Sequence, residues 1–474
     1  MALASIEYFL FFPLVFIIYW LLFSKNKTLQ NVFIIAASMS FYAFWDYRFL
    51  ALLLITAMTT FWASKSIGKS EKKNRRKAIL LAVLIVNLGI LFFFKYYNFF
   101  ISSFADVLSL FGLKANISTL KVILPVGISF YTFAALSYPI DVYQKKMKPT
   151  DDILAYLAFV SFFPSILSGP ISKANKQLSQ FFEKRTFNYD KAVSSCKIIL
   201  LGGVFKLCLA DHLGGYVDAV YANISHYSGT TLLLTSILYT IQIYADFAGY
   251  SLMAVGSGGL LGISLPENFI RPYFSKTITD FWRRWHISLT SWFRDYIYFP
   301  LGGNRCSKVR WMFNTMVVFI VSGLWHGADY TFLLWGALHG LCLIVERLIY
   351  GNKIKTIGNS RSFSNIARML VTFLIVNFLW IFFRLDNISD VMVVISKIFT
   401  NFGSLYIDAS VFSYIIPALF IILAFDYYSE LNEGKLLIMD CRIKPIRWIA
   451  YSILLLYIIF MGSFEQGSFI YFQF

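Results

Sequence analysis

Along this chain, apolar stretches long enough to cross a bilayer alternate with short polar loops. A hydrocarbon core about 30 Å thick takes about 20 mostly apolar residues in helical form. Ile6 to Phe23 is the first such run, Asn31 to Trp45 the second and Phe49 to Ala63 the third. The first run is long, has no basic stretch before it and no small-residue cleavage site, so it reads as a retained helix and not as a signal peptide. Residues 64–77, SKSIGKSEKKNRRK, form the densest basic loop. Short basic loops stay in the cytoplasm. Counting back three crossings puts the N-terminus outside and Lys25 and Lys27 inside.

Ala78 to Phe94 returns outward, and residues 95–118 alternate apolar and polar groups, as an amphipathic segment in the outer interface does. Val122 to Ile140 goes inward to Lys145, Lys146 and Lys148. Ile153 to Pro170 holds Pro164, Gly169 and Pro170 between two basic loops, which predicts a re-entrant element, with a plain span as the alternative. Ile198 to Leu209 goes outward, and residues 211–229 carry acidic groups and His212 and His226 but no Lys or Arg, which fits an outer loop. Leu232 to Gly249 returns inward and ends at a glycine-rich turn, residues 256–262.

Pro266 to Arg310 is cytoplasmic by charge. From Thr279 to Tyr298, aromatic groups and arginines recur at helical spacing, which predicts one interfacial helix. Met312 to Leu324 and Tyr330 to Ile349 are apolar arms joined at residues 325–329, WHGAD. Ile366 to Phe383 goes outward, Asp386 to Phe402 is amphipathic, Val411 to Phe425 goes in and Ile449 to Phe464 ends outside. Basic residues Lys353 and Lys355, then Lys435, Arg442, Lys444 and Arg447, mark the cytoplasmic loops. The count is roughly eleven to twelve membrane-embedded elements, in an all-α polytopic chain. It reads as one domain over 1–474, with N-terminal helices to 120, a core over 121–350 and C-terminal helices from 351.

Composition agrees. Only 14% of the 474 residues are charged and 58% are hydrophobic, against about 25% charged in soluble domains. The net charge of +17 does not imply nucleic acid, because Lys and Arg sit mostly in short loops between spans. Five cysteines without CxxC spacing read as small buried hydrophobes. His212 and His226 lack a third ligand at useful spacing, so no metal site is expected.

Candidate chemistry centres on His326, set between Trp325 and Gly327 in an apolar run, and on His286 in the preceding polar segment. A lone imidazole in an apolar helix can be a hydrogen-bonded core residue. The alternative is a general acid/base: an imidazole near its ordinary pKa can take a proton from a hydroxyl and return it to a leaving group. In that case Gly327 lets substrate or backbone approach and Trp325 offers a flat wall. A basic, aromatic cytoplasmic vestibule, with Trp282 and Arg284, suits an anionic, adenine-bearing donor such as acyl-CoA. Asp246 within a span is a candidate for function, or for a helix–helix hydrogen bond or a pairing with an arginine. No GxxxxGK[ST] and no GxSxG occurs, which leaves acyl transfer directed by histidine.

The residues PENFIRPYFSKTITDFWRRWHISLTSWFRDYIYFPLGGNR at 266–305, then GLWHGADYTFLLWGALHG and Glu346-Arg347, resemble the membrane-bound O-acyltransferase superfamily, and within it the bacterial alginate O-acetylase branch. So do residues 127–143, 162–171 and 242–251 and the N-terminal FFPLVFIIYWLLF. The resemblance implies that His326 is catalytic, with His286 its partner. It implies a helical membrane fold with a central funnel where donor and acceptor meet, and no bound cofactor. It also implies transfer of an acetyl group from a cytoplasmic donor, acetyl-CoA, to an extracytoplasmic polysaccharide through an exported acetyltransferase-like partner protein. Other readings are D-alanyl transfer from a carrier protein to teichoic acid, and a transporter without covalent chemistry. Leu252 departs from the branch, which usually carries an acidic residue between the matching serine and methionine.

Overall fold

The computed structural model describes residues 2–113, 120, 122–351, 363–432, 434–464 and 470. The end of the expected outer segment, from Lys114, and the loop with Lys353 and Lys355 lie outside them. All helical, strand-free regular structure is found among the described residues. Eight helical stretches there are long and apolar enough to cross a membrane, and the protein is a multi-pass membrane protein. Two compact units divide the chain. One comprises mainly Glu7–Ala192 with Ser257–Pro266, the other Val193–Gly256 with Glu267–Phe474.

The first unit contains α1 (Ile6–Leu22), α2 (Lys27–Asp46), α3 (Leu50–Lys69), α4 (Lys73–Leu110) and α5 (Ile128–Tyr143). The Asn26 side chain caps α2 by accepting from the Thr28 amide at 2.8 Å. Helix α4 has 38 residues, roughly 57 Å at 1.5 Å per residue. It runs through Phe94, where a membrane segment was expected to give way to a separate outer one. No Gly or Pro interrupts residues 95–110, so nothing stops the helix. Ile153 to Pro170 is not a plain span: it breaks into α6 (Ile153–Val160) and the single turn α7 (Phe163–Ile166), and eight residues reach only about 12 Å. The Gln30 amide bonds both the N–H and the C=O of Arg185, at 2.9 and 3.0 Å, which ties the polar stretch after α7 onto α2.

In the second unit, helix α8 (Tyr189–Tyr221, entering from the first unit) continues past Leu209 through a π-helical stretch, Val204–Ala210. The outer loop expected from residue 211 is therefore helical as far as Tyr221. Leu213, Tyr216, Val217, Val220 and Tyr221 are buried there at three- and four-residue spacing, which is the apolar stripe of a packed helix. Helix α9 (Gly229–Leu260) likewise absorbs most of the glycine-rich stretch read as a turn. The expected single helix over 279–298 is instead α10 (Ile278–Arg284) and α11 (Ile287–Phe293), broken at His286.

Helices α12 (Lys308–His326) and α13 (Tyr330–Tyr350) form a tight hairpin. The Asp329 side chain starts α13 by accepting from the Thr331 amide at 3.1 Å. Gly336 and Gly340 on α13 make a GxxxG pair that lets backbones approach. A Cβ at Gly336 would lie 2.2 Å from the Phe319 carbonyl oxygen on α12. The remaining helices are α14 (Phe363–Arg384), α15 (Ile388–Thr400), α16 (Ala409–Leu431) and α17 (Lys444–Met461).

Candidate active site

His286 occupies the break between α10 and α11 with φ 42° and ψ 52°, a left-handed conformation. For a residue with a Cβ this costs roughly 1–2 kcal/mol, so something must hold it. The holder is Asn268. Its side-chain oxygen faces His286 Nδ1 at 3.0 Å and accepts from the Ser288 hydroxyl at 2.7 Å and the Ser288 amide at 3.2 Å. The Asn268 carbonyl accepts from the Ile287 amide at 3.0 Å. The amide nitrogen of Asn268 donates to the Ser251 hydroxyl on α9 at 3.2 Å, and the Ser288 N–H, which can only donate, requires the oxygen end of the side chain to face the imidazole. An oxygen can only accept, so His286 Nδ1 carries the proton and Nε2 is the basic site of the neutral ring. Burial lowers its pKa from 6.5 to about 3, so the ring is neutral at physiological pH.

The start of α10 is fixed from α13. The Glu346 carboxylate accepts from the Ile278 amide at 2.8 Å and the Thr279 amide at 2.9 Å. A carboxylate at a helix N-terminus answers both unpaired N–H groups and the positive end of the helix dipole.

His326 is the last residue of α12. The C-terminal end of a helix carries partial negative charge, which favours a positive charge placed there. Its ring lies 6.4 Å from that of His286, centroid to centroid, 5.0 Å from Trp325, and 5.1 Å from both Trp335 and Phe383. Trp325 also meets His286 edge to face at 5.8 Å. The two imidazoles, 40 residues apart in sequence, thus share one aromatic cage, and each is more than nine-tenths buried. Gly327 does leave room, but for a side chain of this hairpin: a Cβ there would lie 2.1 Å from the Phe332 ring.

Trp282 lies in the same cage, 5.7 Å from Trp335. Its indole N–H donates to Nδ1 of a third buried histidine, His339, at 3.3 Å. His339 drew no notice in the sequence because a single imidazole between apolar residues looks like core. The available signal was its position inside the GxxxG pair. Arg284 lies elsewhere. It forms a two-oxygen pair with Glu430, at 3.0 and 2.9 Å, and an i,i+4 pair with Asp280. Arg271 bonds the same Glu430 at 2.7 Å. Asp246 pairs with Lys206 at 2.7 Å and accepts from the Ile470 amide at 2.8 Å. Lys206 also binds Asp211 at 2.7 Å. The partner of Asp246 is thus a lysine from the π-helical stretch of α8 and not the arginine considered from sequence. The next residue on α9, Phe247, packs 4.6 Å from His286.

Comparison with known proteins gives the family. A family model described as MBOAT, membrane-bound O-acyltransferase family, matches residues 39–385. A Pseudomonas aeruginosa protein named probable alginate O-acetylase AlgI is 37% identical over 388 residues, which cover 81% of this chain and 72% of the relative. A peptidoglycan O-acetyltransferase of Helicobacter pylori is 34% identical over 415 residues, 82% of this chain and 77% of the relative. A teichoic acid D-alanyltransferase of Bacillus subtilis is 30% identical over 261 residues, 52% of this chain and 65% of the relative. An extended family match that takes in both caged histidines means that the chain belongs to the membrane-bound O-acyltransferase family and is an O-acyltransferase.

Proposed function

We propose that this protein moves an acetyl group from a cytoplasmic donor, acetyl-CoA, across the membrane for O-acetylation of an extracytoplasmic polysaccharide, with an exported acetyltransferase-like protein as the receiving partner. The chain sits in the cell membrane with both termini on the outer side. The reading rests on one observation above all: two imidazoles 6.4 Å apart in a buried aromatic cage. Relatives named for O-acetylation of alginate and of peptidoglycan are matched over about four-fifths of this chain. The named D-alanyltransferase is matched over 52%, which favours acetyl over D-alanyl transfer.

His326 is the general base in this mechanism. It takes the proton from the acceptor hydroxyl as that oxygen attacks the thioester carbonyl carbon. A C–O bond forms, the C–S bond breaks, and the imidazolium returns the proton to the departing thiolate. The end of α12 favours the positive charge that His326 acquires. His286, kept neutral by burial, adds no repulsion to it and serves to position the acceptor. Excluding water keeps the thioester from hydrolysis. Trp325 and Trp282 wall the acyl-transfer chamber, while the charges of Arg284 and Arg271 are answered by Glu430 and Asp280.

The test is His326→Ala, expressed in cells whose surface polymer is analysed for ester-linked acetate. The expected outcome is loss of acetate with normal accumulation of the protein in the membrane. Normal ester content in that variant would refute the assignment.

A further inference from the structure

Two residues on one face of α13 hold N–H groups that no neighbour among the described residues answers. An indole can only donate, so the bond from Trp282 makes His339 Nδ1 an acceptor. The proton of the neutral imidazole is therefore on Nε2. Among the described residues, Nε2 of His339 has no hydrogen-bond partner, and neither has the indole nitrogen of Trp335. Both side chains are 0% exposed, and their rings lie 5.0 Å apart. They are one helical turn apart, as four-residue spacing requires. Buried donors are almost always satisfied, so a pair left open side by side points to an acceptor that is not part of the protein.

The same Trp335 ring lies 5.1 Å from His326. Around the pair stand Phe281, Trp380 and Phe383, which offer no competing acceptor from their side chains. We propose that Trp335 and His339 are the donors for the acyl carbonyl oxygen of the thioester, a reading that rests on the acyl transfer assigned above. When the acceptor oxygen adds to the carbonyl carbon, the C=O π electrons move onto that oxygen as negative charge. The two N–H groups hold it until the electrons return and the C–S bond breaks. Donors already in place in a water-poor site stabilise such charge without reorganisation.

The experiment uses the purified full-length protein with labelled acetyl-CoA. Trp335→Phe keeps the ring and removes only the N–H; His339→Phe removes the second donor. The expected result is a fall in kcat on the order of 10²-fold for each variant, with the KM for acetyl-CoA held within about twofold, because the interaction gains most of its strength as charge develops on the oxygen in the transition state. Unchanged kcat in both variants would overturn the proposal and assign the two N–H groups to a trapped water. A loss confined to yield or to KM would also overturn it, making the pair a packing feature. His326→Ala runs alongside: if it turns over like wild type, the proposed base is wrong, while the donor variants are still judged against wild type. Wild-type protein inert towards acetyl-CoA overturns the donor reading and this inference with it.

Discussion

The side-chain oxygen of Asn268 lies 3.0 Å from Nδ1 of His286, and through it a loop residue sets both the tautomer and the strained backbone of the imidazole. The bond reaches across 18 residues and joins a histidine with no regular helix of its own to the Ser251 hydroxyl on α9.

Replacing that holder tests the relationship. Asn268→Ala leaves the Ser288 hydroxyl and His286 Nδ1 without their acceptor, each a buried group worth roughly 1–3 kcal/mol when unsatisfied. Acetyl transfer is expected to fall at least tenfold with a lower melting temperature in detergent, and Asn268→Asp, which keeps the acceptor oxygen, recovers part of both. Equal activity of Asn268→Ala and wild type would remove the holding role.

The buried ion group of α8 and α9 predicts a stability effect separate from catalysis. Lys206→Met strands Asp211 and Asp246 without a counter-charge, which costs about 3–5 kcal/mol for a buried pair broken on one side. Membrane accumulation should drop sharply. Adding Asp246→Asn to Lys206→Met should restore part of it, and thermal unfolding of the single and double variants measures the difference. If Asp246→Asn alone left stability intact and raised only the KM of a substrate, Asp246 would belong to a binding site.

Acid sensitivity follows from His286. Its folded pKa of about 3 lies below the ordinary 6.5. Between those values the unfolded chain binds a proton that the folded one refuses, so stability falls as pH drops from 6.5 towards 3 and is whole above 6.5. His286→Gln should flatten this slope between pH 4.5 and 7, read as melting temperature against pH; a parallel slope in the variant would assign the acid loss to other groups.

The hairpin joint gives a steric prediction. Gly327→Ala places a methyl 2.1 Å from the Phe332 ring, and overpacking of this kind costs about 1–3 kcal/mol. Activity should drop with the displaced joint, and Phe332→Leu in the same chain should relieve it, measured as polymer-bound acetate per unit of protein.

Much of this architecture can be read from residues. The α12–α13 hairpin was evident because two apolar arms meet at residues 325–329, WHGAD. Polar groups misled in both directions. Asp211, His212 and Asp218 suggested a loop where Leu213, Tyr216, Val217 and Val220 already spelled out a helical stripe. The break at His286 carries no Gly or Pro; it is imposed by Asn268 and Glu346, from distant parts of the chain. Lys206, inside an apolar run 40 residues before Asp246, could be matched to it only once α8 and α9 lay side by side. His339 escaped notice for the same reason: its significance comes from Trp282 and Trp335, not from its sequence neighbours.

The contact of Gly336 with the Phe319 carbonyl limits how the cage can breathe. Two backbones pressed together with no side chain between them cannot slide or part without losing the fit. The hairpin is therefore a fixed frame: His326 at its joint and Trp335, whose ring lies 5.1 Å away, keep their spacing whatever the rest of the cage does.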